Sequence, residues 1–349
     1  MTLSLYLDTA RWRAHQQSVL AEFPGLVPVA KGNGYGLGNA RLAEEATRLG
    51  AGLLAVGTAD EARAAAGVFT GELLVLTPYR TGEEPLPLGV IRTVAHLEAA
   101  RALPAGSRVV VECMTSMRRH GIAPGDLAHL PTDGVTLEGF ALHLPLDRPG
   151  GSPRPEVGGG SESVAEVADW VDAIAAAGLP TGTVYLSHLG SADLARLAQR
   201  YPATAFRSRI GTRLWLGDPG ALQARATVMD VTPVAKGDRY GYRQHRAPSD
   251  GHLLVVSGGT AHGVGLEAPK YVHGIVPRAK GLARAGLATV NRTLSPYAWT
   301  GRQLWFAEPP HMQVSILFLP TGGKPPVIGD ELALNTRHTT THFDRVVDG

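Results

Sequence analysis

Cysteine is almost missing from this chain: Cys113 stands alone among 349 residues. One thiol can build neither an intrachain disulfide framework nor a cysteine-based metal cluster. A dominant charge is missing as well, since 33 Lys and Arg face 31 Asp and Glu for a formal net charge of +2. Without a basic stripe or an acidic tail, no nucleic acid is expected as a partner, and small molecules become the default. Nor does any segment offer the roughly 18 uninterrupted apolar residues of a membrane span, so no membrane partner is expected. The opening MTLSLYLDTARWRAHQ has an apolar stretch too short for a signal peptide, interrupted by two arginines. The expectation is a soluble, cytoplasmic protein.

Apolar residues make up 44% of the chain, enough for a substantial core. From residue 26 to 210, short β-rich runs alternate with helical patterns: LVPVA then ARLAEEATRLG, LLAVG then ADEARAAAG, ELLVL, VIRTV then AHLEAARAL, RVVVE, LEGFALHL then SVAEVADWVDAIAAAG, TVYLSHL then SADLARLAQR, and TAFRSRIG. Such alternation marks βα units around a parallel sheet. About eight runs in roughly 200 residues predict an α/β chain built on a (β/α)8 TIM-type barrel over residues 1–218, with an open doubly wound sheet as runner-up. After residue 218 the helical pattern fades. ATVMDVTPV, HLLVVSGG, QVSILFLP and DELALNT predict a β-rich C-terminal domain over 219–349, with which the first strand, 3–7, is able to pair. The Gly- and Pro-rich stretch 148–163 is expected to be a flexible barrel loop, and the locally basic 267–286 a loop or interface.

VPVAKGNGYGLGN (27–39) ends an apolar run on Lys31 and follows it with glycines at 32, 34, 36 and 38. A dinucleotide fingerprint needs glycine at 37 or 39, where Leu37 and Asn39 stand, and a P-loop needs its lysine after the glycines. A lysine leaving a buried strand loses solvation, which favours the neutral amine. Forming a Schiff base with an aldehyde cofactor requires that amine. Active sites of such barrels form at the C-terminal strand ends, where Lys31, His143 and Arg209 would all lie.

VAKGNGYGLG resembles the cofactor-lysine motif of the alanine racemases, fold-type III enzymes of pyridoxal 5'-phosphate (PLP). The resemblance continues in order through GAGLLAVGTADEA (50–62), TSMRRHG (115–121), GFALHLP (139–145), HLGS (188–191), SRIGTRLWLG (208–217), KGDRYGY (236–242) and PPHMQVS (309–315). It implies that Lys31 holds PLP and is one of two catalytic bases. Tyr35 would contact the phosphate, with Ser191 and the backbone amides at Gly211 and Thr212 completing the cradle. Arg119 would face the phenolic oxygen and the substrate, and Arg209 the pyridine nitrogen, with His143 behind it. An arginine there leaves the ring nitrogen neutral, whereas a decarboxylase of this fold type is expected to place an acid. Tyr240 matches the second base and Met312 a substrate contact, both reaching the site from a neighbouring subunit. The implied protein is a homodimeric racemase of alanine or a similar small amino acid, without a metal. A fold-type III decarboxylase and an inactive PLP-binding homologue are the alternatives.

Several positions depart from the family pattern. Glu112 stands where a carbamylated lysine usually orients the arginine matched by Arg119, and is expected to make a charge-assisted hydrogen bond in its place. Gln313 replaces an aspartate and His311 a cysteine, and the family's terminal phosphate-contacting tyrosine has no match before Gly349. His338 and His342 are expected on solvated surface, with metal ligation the lesser option.

Overall fold

The computed structural model describes residues 2–87, 89–146, 161–266 and 293–349. Two compact units result: Arg13–Gly217, and a second that joins the chain up to Trp12 to the chain from Asp218 onward. Strand β1 (Leu3–Leu7) and helix α1 (Thr9–Glu22) come first. A closed ring of parallel strands follows: β2 (Val27–Ala30), β3 (Leu53–Val56), β4 (Glu72–Pro78), β5 (Ile91–Val94), β6 (Arg108–Glu112), β7 (Thr136–His143), β8 (Thr183–Ser187) and β9 (Ala205–Ile210). Pairing of Val27 with Arg209 and Pro28 with Ile210 closes it. Helices α2 (Asn39–Arg48), α3 (Ala59–Ala65), α4 (Leu97–Arg101), α5 (Ser161–Ala176), α6 (Ser191–Arg200) and α7 (Thr212–Leu216) follow β2, β3, β5, β7, β8 and β9. The expected TIM-type barrel is present.

The strands are largely apolar on both faces because both are covered. Val27, Val29, Leu53, Ala55, Leu74, Ile91 and Val110 fill the interior at period two. Their alternates, among them Val109, Val111, Leu142 and Val184, pack outward against Val167, Trp170, Val171 and Ile174 of α5. That spacing of three, one and three residues puts one stripe of α5 on the sheet. Truncating the fully buried Ile174 to alanine would cost about 2–5 kcal/mol. Of the expected loop 148–163, Ser161–Ser163 instead opens α5, with Glu162 in the first turn where the helix dipole favours an acid; residues 147–160 lie outside the described residues, as does 267–286.

The second unit contains β10 (Leu222–Val234), β11 (Arg239–Tyr240), β12 (His245–Arg246), β13 (Gly251–Ser257), β14 (Leu294–Trp299), β15 (Arg302–Phe306), β16 (Val314–Pro320), β17 (Glu331–Leu334) and β18 (Arg345–Asp348). Eight strands form one sheet in the order β13-β16-β15-β14-β17-β10-β1-β18, and β10 also pairs with β13 across a register shift at Val228/Asp230. The first strand pairs here, antiparallel to β10 (Leu3 opposite Ala226) and parallel to β18. Tyr297 is fully buried and donates its hydroxyl to Gly258 O at 2.8 Å, giving a core aromatic the partner its polar end needs.

Candidate active site

The barrel unit gathers its charged and imidazole side chains at the C-terminal strand ends. Lys31 follows the last residue of β2, Glu112 and His143 end β6 and β7, His188 follows β8, and Arg209 is the penultimate residue of β9. Arg119 comes from the loop after β6, which Thr115 ties to the end of β7 by donating Oγ1 to His143 O at 2.7 Å.

Lys31 is exposed by surface area, yet protein surrounds its amine closely enough to hold it below the ordinary lysine value. Burial is the largest cause, followed by Arg119 and Arg209, with Glu61 opposing them. His143 is pushed down to about 3, by burial first and then by Arg209, Arg119, His188 and Lys31. His188 is lowered too, by burial first and then by Arg209, Lys31 and Arg119. The two imidazoles meet edge to face, centroids 5.0 Å apart, so the mouth holds two neutral histidines beside its cations.

Arg209 is buried, donates Nη2 to Leu142 O at 3.3 Å and places Nη1 3.5 Å from Glu112 Oε2. Its Nε is buried and has no partner. Glu112 lies closer to Arg209 than to Arg119, whose Nη2 is 3.9 Å from Oε1. That second distance is an ion pair too long for the hydrogen bond expected between Glu112 and Arg119. The buried β9 strand presents its guanidinium directly to the end of β6, while Arg119 sits on a loop and stays 44% exposed.

Tyr35 is buried with a left-handed backbone (φ 56°), and its hydroxyl is pushed up to about 12 by burial and then by Glu61. Any Cβ at Gly211 would run into Tyr35 Oη, so glycine lets the main chain at 211 and the phenol meet. Trp215 fastens this turn to the lysine strand, donating Nε1 to Val29 O at 2.8 Å. Ser191 opens α6 as its sequence segment suggested, but it donates its hydroxyl to Glu22 Oε1 at 3.2 Å, and Glu22 also pairs with Arg213. Thr212 begins α7 directly after Gly211.

PLP fits these residues on two observations. An unsatisfied buried guanidinium N–H costs about 1–3 kcal/mol, and a pyridine nitrogen is an acceptor it lacks. The close approach of Gly211 to Tyr35 leaves main-chain amides and a phenol bare of intervening side chains, as a phosphate cradle requires. Lys31 is the amine that would carry the aldehyde. Among the described residues no three His, Cys, Asp or Glu gather as a metal site. His338 packs its ring against Phe343, centroids 5.7 Å apart.

Tyr240 and Met312 belong to the other unit. Tyr240 sits on the small hairpin β11–β12 before Gly241 (φ +71°), where a Cβ would strike Glu308 Oε2. Glu308 is buried beneath this turn, accepting Tyr242 N–H at 2.9 Å on Oε2 and bonding His311 Nε2 at 2.7 Å through Oε1. Burial, then Glu308, raises the Tyr240 hydroxyl above its ordinary value. The lowering that a tyrosinate needs is therefore not supplied by the groups around it in this unit. Met312 is 70% exposed and Tyr242 85%, which rules out a core role for that methionine.

Two site residues were not singled out from the sequence. Glu61 bonds the main chain directly after Lys31 (Gly32 N–H, 2.8 Å), and only the Thr58-x-x-Glu61 capping signature hinted at it. His188 opens the HLGS segment, where the resemblance points only to Ser191.

A parallel (β/α)8 barrel with a lysine and a buried, partly unsatisfied arginine at its mouth, and a separate β unit, fits a PLP enzyme of fold-type III. The family of alanine racemase N-terminal domains matches residues 8–219. An alanine racemase from Deinococcus deserti is 32% identical over 263 residues, 72% of either chain. One from Desulfovibrio desulfuricans is 35% identical over 157 residues, 40% of this chain and 42% of that one. The crystal structure of alanine racemase from Bartonella henselae with covalently bound pyridoxal phosphate has a similar fold, with a TM-score of 0.70 at 17% identity over the whole of both chains. The chain belongs to the alanine racemase family and is an alanine racemase-like PLP enzyme.

Proposed function

We propose that this chain is an amino-acid racemase that interconverts the L- and D-forms of alanine or a similar small amino acid. The observation that carries this is Arg209, whose buried Nε lacks an acceptor where the ring nitrogen of the cofactor is proposed to lie. Bound PLP would supply a conjugated ring that accepts electron density from the substrate Cα. Arginine does not give up its proton, so it keeps the ring nitrogen neutral and the electron sink weak. Charge developing at Cα would then be spread less into the ring, which favours returning a proton to Cα.

The chain's own groups supply that proton. Lys31 Nζ, whose proton is made easier to lose by burial and two arginines, takes or returns it on one face. Tyr240 does so on the other face, reaching the barrel of a second copy in a homodimer with shared sites. Its hydroxyl is held protonated within its own unit, ready to donate. Acting as a base requires a nearby cation, which Arg119 or Arg209 of the facing barrel would provide. Arg119 would face the phenolic edge of the ring and the substrate, while Tyr35, Gly211, Thr212 and Ser191 would hold the phosphate, Ser191 by giving up its bond to Glu22.

The test is incubation of the PLP-loaded protein with single L-amino acids in deuterated water. Deuterium at Cα with loss of optical rotation supports the racemase. Release of carbon dioxide would replace it with a decarboxylase, and a coloured protein that exchanges no amino acid would reduce it to a PLP-binding chain.

A further inference from the structure

Glu61 has no part in the chemistry described so far, yet three main-chain groups from two loops converge on its carboxylate. Oε1 accepts the N–H of Gly32, the residue directly after Lys31, at 2.8 Å. Oε2 accepts Gly57 N–H at 2.6 Å and Thr58 N–H at 3.2 Å, and Thr58 Oγ1 accepts Glu61 N–H at 3.2 Å. A capping box needs only the two bonds exchanged with Thr58. The bonds to Gly32 and Gly57 exceed that need, and they stitch the loop after β2 to the loop after β3.

Packing leads to the same carboxylate. A Cβ on Gly57 would lie 2.7 Å from Glu61 Oε2 and 3.0 Å from Lys31 Cβ, so carboxylate, bare glycine and lysine stem form one tight layer. Electrostatics adds a third line: burial, Arg119 and Arg209 all favour the uncharged amine of Lys31, and Glu61 opposes them.

We propose that Glu61 is a positioning residue for Lys31, fixing the main chain that leaves the lysine and supplying the negative charge that balances the two arginines around its amine. The proposal rests on Lys31 being the cofactor-bearing base. A base that takes a proton and must also return it works best when neither of its forms is strongly favoured. With two arginines and no balancing charge, the amine would hold a proton too weakly for its return step.

Lysines are few in this chain (Lys31, Lys236, Lys270, Lys280 and Lys324), so reductive methylation of the full chain, stripped of cofactor, with carbon-13 formaldehyde gives resolvable signals. Lys31 is assigned by its loss in K31R. In E61Q the Lys31 signal is expected to titrate about one pH unit lower than in the native chain. T58A loosens the cap but keeps the carboxylate, and should leave that titration unmoved. An E61Q curve that superimposes on the native one overturns the proposal, as does a T58A shift as large as that of E61Q. Should E61Q not fold, E61D carries the test. It keeps the charge and shortens the reach, so Gly32 N–H should exchange with solvent at least about tenfold faster while Lys31 titrates within a few tenths of a unit of native. Unchanged exchange at Gly32 overturns the proposal. Unmethylated native protein is mixed with PLP in parallel. If no visible band forms, the Lys31 assignment itself fails; if the band forms and E61Q titrates as native, only the role of Glu61 falls.

Discussion

Glu112 Oε2 lies 3.5 Å from Arg209 Nη1, and the two side chains keep only 3% and 4% of their surface in solvent. They come from the ends of β6 and β9, 97 residues apart in sequence, and meet inside the mouth of the barrel. Burial pushes the Glu112 carboxyl upward against the pull of Arg209 and then Arg119. Replacing Glu112 with leucine leaves two guanidinium groups without this counter-charge, and a broken buried pair of this kind costs about 3–5 kcal/mol. Glu112→Gln should cost less, because its amide oxygen keeps an acceptor for Arg209 Nη1 although the charge is gone. Urea unfolding of the three proteins at pH 7 checks both the size and the order.

Lys31 gives a pH test with a definite sign. Its folded value lies below the ordinary 10.5, so the folded state binds fewer protons than the unfolded one between those two values. Native stability therefore carries a penalty below the folded value, and that penalty fades as pH rises through 10.5. Lys31→Met should raise the urea midpoint at pH 7, and the gain should vanish above about pH 11. The same variant should form no visible band with PLP. A lower midpoint at pH 7 would mean that the amine is not strained by its surroundings.

Those two residues also show how far the sequence could be read. The eight barrel strands were legible because short β-rich runs alternate with helical patterns, and where such a run is apolar, as in VPVA, a charged residue at its end marks the mouth of the barrel. Lys31 stands out that way, whereas His143 and Arg209 lie in the mixed runs LEGFALHL and TAFRSRIG and take their roles from the family resemblance. Strands β14 and β15 were not, since LSPYAW contains Pro296 and RQLWF is short and half exposed. The partnership of Glu112 with Arg209 was out of reach because periodicity says nothing about which strand ends face each other across a closed ring. Glu61 hid for a related reason: it acts on backbone N–H groups, which every residue carries. The expectation for Ser191 named its segment but could not foresee that Glu22, from α1, takes up its hydroxyl.

The contact of Gly211 with Tyr35 gives a reversible test of the phosphate cradle. Gly211→Ala drives a methyl group into Tyr35 Oη and should weaken PLP binding about tenfold or more, near 1.4 kcal/mol. Removing the oxygen makes room, so adding Tyr35→Phe to Gly211→Ala should recover part of that loss even though Tyr35→Phe alone weakens binding. Fluorescence titration with PLP across the four proteins measures the coupling. Strictly additive losses would place the obstruction elsewhere.

Tyr240 and Glu308 provide the last test, on the second base. Tyr240→Phe removes the proton carrier from one face and should cut racemisation by about 10²–10⁴-fold, while Cα deuterium exchange persists for one enantiomer through Lys31. Burial and then Glu308 raise the Tyr240 hydroxyl, so exchange that depends on Tyr240 as base should rise with pH along a limb set by that group. Glu308→Gln removes the opposing charge and keeps one acceptor for Tyr242 N–H. The limb should then move about half a unit toward lower pH, with the Lys31-dependent exchange of the other enantiomer unchanged. Proton NMR of Cα–H loss from each enantiomer across the pH range resolves the two limbs. A limb that moves upward, or moves equally for both enantiomers, would remove Tyr240 from the mechanism.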